Sequence, residues 1–189
     1  MLDIALQFLR DELNSYILAR SGAAAVEVKL TRVADAAGGY AFSEETIGIS
    51  LINIEEERTV REQRPTHAII DGQHVMLEPE IKLNLHVLFA ANFKQYDQAL
   101  KFIAHVITFF QVHPVFAGSR DAALDPRIEK MMVDLQSLNY EQLNQIWASI
   151  GAKQLPCVVY KVRMVVLQDA EPGEVRPSIT SLATNIGHR

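Results

Sequence analysis

The sequence predicts an α/β (α+β) fold in which a single mixed β-sheet is packed by about three helices. In three segments, 2–20, 94–111 and 140–150, apolar residues recur three and four positions apart, which is the period of an amphipathic helix. Other segments alternate apolar and polar residues, as strands with one solvated face do. Since helices and strands are interleaved along the chain, one sheet covered by helices is the simplest architecture.

The chain begins with one helix and two strands. Helix 2–20 is expected to end at Gly22, because glycine is favoured just past a helix C-terminus. Alternation predicts a short strand over 26–30 and a longer one over 46–60. In the longer strand the apolar residues change sides after Leu51, so either both faces are covered there or a β-bulge shifts the register.

Residues 61–79 are interpreted as a projecting hairpin that is flexible or completed by a partner. Asp71-Gly72 lies between two apolar runs, which is a strong hairpin signal. A two-residue turn there predicts the pairs Ile70 with Gln73, Ile69 with His74, and His67 with Met76. His67 and His74 would then be diagonal neighbours, but two ligands without a third make a poor metal site. An ordinary polar hairpin face is therefore favoured over a metal site.

The second half of the chain continues the alternation of strands and helices. Strand 81–89 is expected to point its odd-numbered residues inward, and helix 94–111 to end before Pro114. An extended run follows Asp125-Pro126, in which Met131, Val133 and Leu135 oppose Lys130, Met132 and Asp134.

Helix 140–150 starts with a capping box formed by Asn139 and Gln142, and it stops at Gly151. The last strand covers 157–168. The predicted domain is therefore 1–168, and 169–189 form an extended or flexible arm.

Charge and composition exclude several classes of protein. Eighteen basic and 23 acidic residues give a net charge of −5, which disfavours nucleic-acid binding. The single cysteine cannot form an intrachain disulfide. Charged residues interrupt the N-terminal segment where a signal peptide would be apolar, and no apolar run is long enough to span a bilayer. We therefore expect a soluble protein made in the cytoplasm without a signal peptide or direct membrane insertion.

No motif for catalysis, a cofactor or a metal emerges from the sequence. Gly38-Gly39 lacks the residues of a phosphate loop, and the six histidines show no metal-ligand spacing. Cys157 lies at the edge of an apolar strand and is expected to be a buried, inert thiol. His86 and His105 are expected to be hydrogen-bonded imidazoles of a strand and a helix edge. Binding or assembly is therefore favoured over catalysis, with no cofactor.

The run Glu55-Glu56-Glu57-Arg58 is the sharpest charge feature of the sequence. Because strand side chains alternate, Glu55 and Glu57 share one face of the strand. Two interpretations remain open: a solvated strand end that discourages edge aggregation, or an acidic contact strip for a basic partner.

Four stretches make the sequence recognisable as a whole. They are LQFLRDELN at 6–14, LINIEEERT at 51–59, LNLHVLFAANF at 83–93 with its continuation to 102, and LNQIW at 143–147 running through Leu155-Pro156 to YKVRM at 160–164. In this order they resemble the cap, or tail-terminator, proteins of extracellular contractile injection systems of the antifeeding-prophage and virulence-cassette type. The resemblance covers residues 2–168, and segment 61–79 has no counterpart that we can match.

The resemblance implies a tail-terminator-like fold and a structural role without enzymatic activity, cofactor or metal. The family implies a homo-oligomeric ring, expected to be a hexamer, that ends the inner tube and anchors the last sheath layer. Partners would be the inner tube protein and the sheath protein. An adaptor elsewhere in the same particle, at the baseplate or on the membrane-attachment side, is the alternative. Candidate interaction residues are Glu55, Glu57, Arg58, His67 and His74, together with Ile179 in the arm.

Overall fold

A computed structural model of the 189-residue chain describes residues 1–22, 26–57, 66–70, 73–77, 81–167 and 175–176. The helices in this part are α1 (Leu2–Ser21), α2 (Tyr96–Val112) and α3 (Tyr140–Ile150). The strands are β1 (Glu27–Leu30), β2 (Thr46–Glu56), β3 (Thr66–Ile70), β4 (Gln73–Leu77), β5 (Ile81–Asn92), β6 (Val115–Ala117), β7 (Lys130–Gln136), β8 (Cys157–Leu167) and β9 (Val175–Arg176).

Six strands form one mixed sheet in the order β1-β2-β5-β8-β7-β6. The edge strand β1 runs parallel to β2, whereas every other neighbouring pair is antiparallel. The predicted fold class, one mixed sheet with three helices, is confirmed. Each predicted helix is found within two residues of its expected bounds.

Helices α1 and α2 cover one face of this sheet and form the larger core. Leu9, Leu13 and Ile17 of α1 are fully buried against strand residues that include Ile47, Ile49, Leu85, Val87 and Phe89. Phe89 is central to this core, because its ring centroid lies 5.3 Å from that of Phe110 on α2 and 5.8 Å from that of Tyr160 on β8. We call this the helical face.

Helix α3 covers part of the opposite face, which we call the α3 face. Trp147 of α3 packs there with Phe42 and with Leu88, Ala90 and Val159 of the sheet. Strand β5 is therefore buried on both faces along its second half. The predicted one-sided alternation of 81–89 was wrong there, because Leu88 is as fully buried as Phe89.

A β-bulge occurs where the apolar pattern of β2 changes sides, which was one of the two alternatives for this pattern. Leu51 pairs with Val87 and Asn53 with His86, so Ile52 is the extra residue. Residues paired across a ladder point to the same side of a sheet. Beyond the bulge Glu55 pairs with Asn84, which places the Glu55 side chain on the α3 face.

The predicted hairpin forms in the predicted register. Strands β3 and β4 pair Ile70 with Gln73, Ile69 with His74, and His67 with Met76. The two turn residues lie outside the described residues. The short strand β9 pairs with β4 through Val75–Val175 and His74–Arg176, so two residues of the predicted arm belong to a second, three-stranded sheet in the order β3-β4-β9.

Some expectations for single elements were wrong. No pattern in the sequence predicted β6, which is only three residues long. Ile81 is half exposed rather than inward. Leu135 of β7 and Tyr96 and Leu100 of α2 are exposed as well, although each lies on the apolar side of its element. Periodicity shows on which side of an element a residue lies, but not whether another element covers it.

Candidate interaction surface

The acidic run lies at the end of β2, where the strand continues past the cover of α3. Glu55 and Glu56 are exposed, and they pair with Asn84 and Leu83 of β5 respectively. The backbone N–H of Glu57 donates to the carbonyl of Lys82 at 2.8 Å, which continues the ladder by one residue. Glu55 and Glu57 therefore lie on the α3 face, and Glu56 lies on the helical face.

Glu55 is held by two basic side chains from neighbouring strands. Its Oε2 lies 3.0 Å from Nε2 of His86 on β5 and accepts from Nζ of Lys161 on β8 at 3.2 Å. The close contact with His86, followed by the hydrogen bond from Lys161, lowers the pKa of the Glu55 carboxyl. One carboxylate thus links three strands of the sheet.

A second ion pair extends this arrangement across the sheet. Lys161 is paired in register with Asp134 of β7, and Asp134 Oδ2 lies 2.6 Å from Nε of Arg163 on β8. Polar side chains therefore form one continuous row across β2, β5, β8 and β7, made of Glu55, His86, Lys161, Asp134 and Arg163. We call these five residues the polar row.

Glu57 is anchored by a buried amide. Asn84 is only 2% exposed, and its Nδ2 donates to Glu57 Oε2 at 3.0 Å. A buried amide that bonds a carboxylate fixes the direction of that side chain, because leaving the donor unpaired would be costly. Glu57 is thus positioned by its own chain.

A groove lies between α3 and the polar row. Its volume is about 610 Å³, and its lining includes Ile52 and Asn53 of β2, His86 of β5, Gln136 of β7, and Gln142 and Ile146 of α3. His86 is the single titratable residue among the lining side chains. This arrangement offers no pair of acid and base groups, and its mixed apolar and amide lining is typical of a contact surface.

The other predicted site residues are less defined. Arg58 and Ile179 lie outside the described residues. The backbone positions of His67 and His74 follow the predicted register on β3 and β4. The role of these four residues, and of Glu55 and Glu57, in binding a partner stays a prediction.

Two residues considered for chemistry are in unreactive surroundings. Burial raises the pKa of the Cys157 thiol, which disfavours the nucleophilic thiolate. Burial, with Lys101 and Arg20 nearby, lowers the pKa of His105. His86 and His105 were expected to be hydrogen-bonded, yet Nε2 of each is buried without a hydrogen-bond partner among the described residues. For His86 that nitrogen only lies close to the Glu55 carboxylate.

Neither a cluster of metal ligands nor a helix fit to span a membrane occurs in the described part of the chain. No group of three or more His, Cys, Asp or Glu side chains there is arranged to hold a metal ion. None of the three helices is sufficiently long and apolar to cross a bilayer.

Sequence reasoning found Glu55 and Glu57 but did not connect Glu55 with Lys161, Asp134 and Arg163 in the polar row. Lys161 and Arg163 alternate with apolar residues in β8, and Asp134 does so in β7, which was a usable signal. The order β5-β8-β7 was needed to show that these residues meet.

Comparison with known proteins agrees with the sequence resemblance. The chain matches two solved structures over 94% of its length, each with a TM-score of 0.60. One is a sheath/tube terminator, in the extended state, of the PVC extracellular contractile injection system, at 13% identity. The other is the tube-terminating cap of the anti-feeding prophage, at 17% identity.

At these identities the match establishes the fold. The chain spans 63% of the first structure's chain and 60% of the second's. No curated protein sequence matches significantly. The profile of one family, described as the Pvc16 N-terminal domain, matches residues 5–181. Because this match covers nearly the whole chain, the protein belongs to the Pvc16 N-terminal domain family.

Proposed function

We propose that this protein is a cap subunit that terminates the inner tube of an extracellular contractile injection particle. The observation that carries the proposal is the shared fold over 94% of the chain with two proteins described as tube terminators. The family match over residues 5–181 supports the same role. The finer parts of the proposal are a ring, expected to be a hexamer, that also anchors the last sheath layer.

The proposed mechanism is steric and does not require catalysis. In a closed ring, one patch of each subunit contacts a different patch of the next. One ring face matches the last layer of the tube, while the other lacks the surface that would template a further layer. The groove beside α3, with His86 as its single titratable lining residue, supports a structural role.

Deleting the gene tests the terminator role directly. In a producing strain, negative-stain electron microscopy would measure tube length and the state of the sheath at the end distal to the baseplate. Overlong, ragged or sheathless tubes that are restored by the wild-type gene are expected. Normal lengths with intact ends would reject the terminator role and favour the alternative, an adaptor elsewhere in the particle.

The polar row and its neighbour Glu57 are the surface that we propose contacts a partner in the particle. Glu55→Lys together with Glu57→Lys reverses the charge on the α3 face, and Glu56→Lys is the matched control on the helical face. We expect the double variant to reduce the fraction of capped particles and the control to leave it unchanged. Normal capping in the double variant would show that the acidic run is only a solvated strand end. An equal defect in the control would exclude a contact specific to the α3 face.

A further inference from the structure

Strand β6 forms one edge of the six-stranded sheet, and groups from the loop that follows it bond to that edge. In its ladder with β7, the carbonyl of Pro114 accepts from the N–H of Val133, and the N–H of Gly118 donates to the carbonyl of Glu129. Since bonded and non-bonded pairs alternate in an antiparallel ladder, the N–H and C=O groups of Val115 and Ala117 point away from β7. These are the groups that a further strand would bind.

Three of these outward groups are occupied by the loop that follows β6. The Ala117 N–H donates to Asp121 Oδ2 at 2.8 Å, and the Val115 carbonyl accepts from the Arg120 guanidinium. The Ala117 carbonyl accepts from the backbone N–H groups of Arg120 and Asp121, at 2.9 and 2.8 Å. The two side chains also contact each other, with Arg120 Nη2 lying 3.4 Å from Asp121 Oδ2. An ion pair therefore lies along the strand edge.

The opposite edge of the sheet shows a related device. Strand β1 bonds to β2 through Glu27 and its alternate residues, so the Val28 N–H points outward. That N–H donates to Oδ1 of Asn14 on α1 at 3.2 Å. Side chains thus occupy outward backbone groups at both edges of the six-stranded sheet.

We propose that Arg120 and Asp121 block the β6 edge, so that a strand from a second copy of this chain does not add to it. An open edge presents unpaired N–H and C=O groups that template pairing with another chain. A second β6 is the natural occupant, because two identical edges can pair antiparallel about a two-fold axis and need no other partner. Such pairing would join subunits in a geometry different from that of a closed ring. The proposal does not depend on the proposed cap function.

Removing both blocking side chains tests the proposal. The double variant Arg120→Ala, Asp121→Ala, which we call the open variant, would be compared with the wild type by sedimentation velocity over a range of concentrations. We expect species larger than those of the wild type, growing with concentration. The matched control is Asp125→Ala, Arg127→Ala, which removes another Arg/Asp pair of the same loop whose carboxylate bonds to the Arg127 N–H rather than to β6.

Adding Ala117→Pro to the open variant shows whether the association uses this edge. Proline removes the outward N–H of Ala117 but no donor to β7, so it should restore the sedimentation of the wild type. Two results would overturn the proposal: a folded open variant that sediments as the wild type does, or an association that persists with the proline.

A measurement on the wild type does not depend on the folding of any variant. If Asp121 keeps its hydrogen bond to the Ala117 amide, hydrogen exchange of that amide is slowed although it does not bond to β7. We expect it to exchange about tenfold more slowly than an unprotected amide, as a hydrogen bond to a charged group implies. Exchange of this amide at the unprotected rate would show that Arg120 and Asp121 do not block the β6 edge.

Discussion

A single glycine allows the second core to form on the α3 face of the sheet. The ring of Phe42 lies directly over Gly48 of β2, and a Cβ built on that glycine would be 2.8 Å from Cε1 and Cζ of the ring. Carbon atoms do not approach so closely, and Phe42 is buried by its neighbours in the core with Trp147. Any side chain at position 48 therefore requires Phe42 to move.

We expect Gly48→Ala to lower the free energy of unfolding by about 1–3 kcal/mol, the usual cost of overpacking a core. Urea denaturation would measure this change in the free energy of unfolding. The control is Gly118→Ala, where the nearest atom to the added Cβ is the carbonyl oxygen of Ile128 at 3.8 Å, an ordinary contact. Combining Gly48→Ala with Phe42→Leu should recover part of the loss. Equal stability of Gly48→Ala and the wild type would contradict the packing explanation.

Glu55 gives the protein a predictable sensitivity to acid. Its lowered pKa means that its carboxylate is favoured more in the folded than in the unfolded state. That stabilisation is fully present above the ordinary pKa of 4.5 and is lost as the pH falls through the lower folded value. Because the Glu55 side chain is 46% exposed, water screens the pair and the contribution stays small.

We expect Glu55→Gln to cost about 0.5 kcal/mol at neutral pH, in the range of exposed ion pairs. The difference from the wild type should shrink as the pH falls below 4.5, because the wild-type carboxyl is then protonated too. Denaturation curves at several pH values would measure this difference, with the exposed Glu129→Gln as the control. If the stability difference between Glu55→Gln and the wild type grew in acid, the ionised Glu55 carboxylate would not be stabilising the folded state.

At the scale of elements, α3 depends on its first turn. The Asn139 side chain accepts from the N–H of Gln142 at 2.8 Å, and the Gln142 side chain accepts from the N–H of Asn139 at 3.0 Å. This capping box satisfies two N–H groups that an α-helix cannot bond internally. Trp147 is the single buried residue of α3, so the position of this short helix also depends on its ends.

We expect Asn139→Ala to destabilise the protein by about 1 kcal/mol, the typical loss of an N-cap. The matched control is Asn144→Ala, an exposed position inside α3, where alanine is the better helix former and no loss is expected. Thermal denaturation followed by circular dichroism would compare them. Equal melting temperatures for Asn139→Ala and the wild type would show that tertiary contacts alone hold α3.

At the scale of the whole molecule, β5 joins the two cores. Phe89 points to the helical face and meets Phe110 and Tyr160, while Leu88 points to the α3 face and meets the core of Trp147. Both side chains are fully buried. A central strand that is packed on both faces couples the two layers of helices, so we expect them to unfold together.

We expect Phe89→Ala to cost about 3–5 kcal/mol, because it leaves a cavity among packed rings. Since β5 joins both cores, near-ultraviolet circular dichroism and Trp147 fluorescence should report one unfolding transition at the same lowered midpoint. Phe89→Leu, which keeps most of the volume, should lose clearly less. A Trp147 transition that keeps its wild-type midpoint would show that the α3 face unfolds independently.

The sequence by itself determined the local elements and the family. Helical period, alternation and the Asp-Gly turn depend on neighbouring residues, so the three helices and the hairpin register were predicted correctly, and the bulge after Leu51 was one of two predicted alternatives. The four ordered stretches carried the family resemblance, which the match over residues 5–181 confirmed.

Only the tertiary structure decided which strands are neighbours and what covers each face. The polar row depends on the order β2-β5-β8-β7, since Glu55 and Lys161 are 106 positions apart in the chain. Leu135 and Ile81 have the pattern of core residues but remain half exposed, because burial depends on where the helices end over the sheet. The edge at β6 likewise becomes visible only through the pairing of β6 with β7. A three-residue strand is too short to show a period of apolar residues in the sequence.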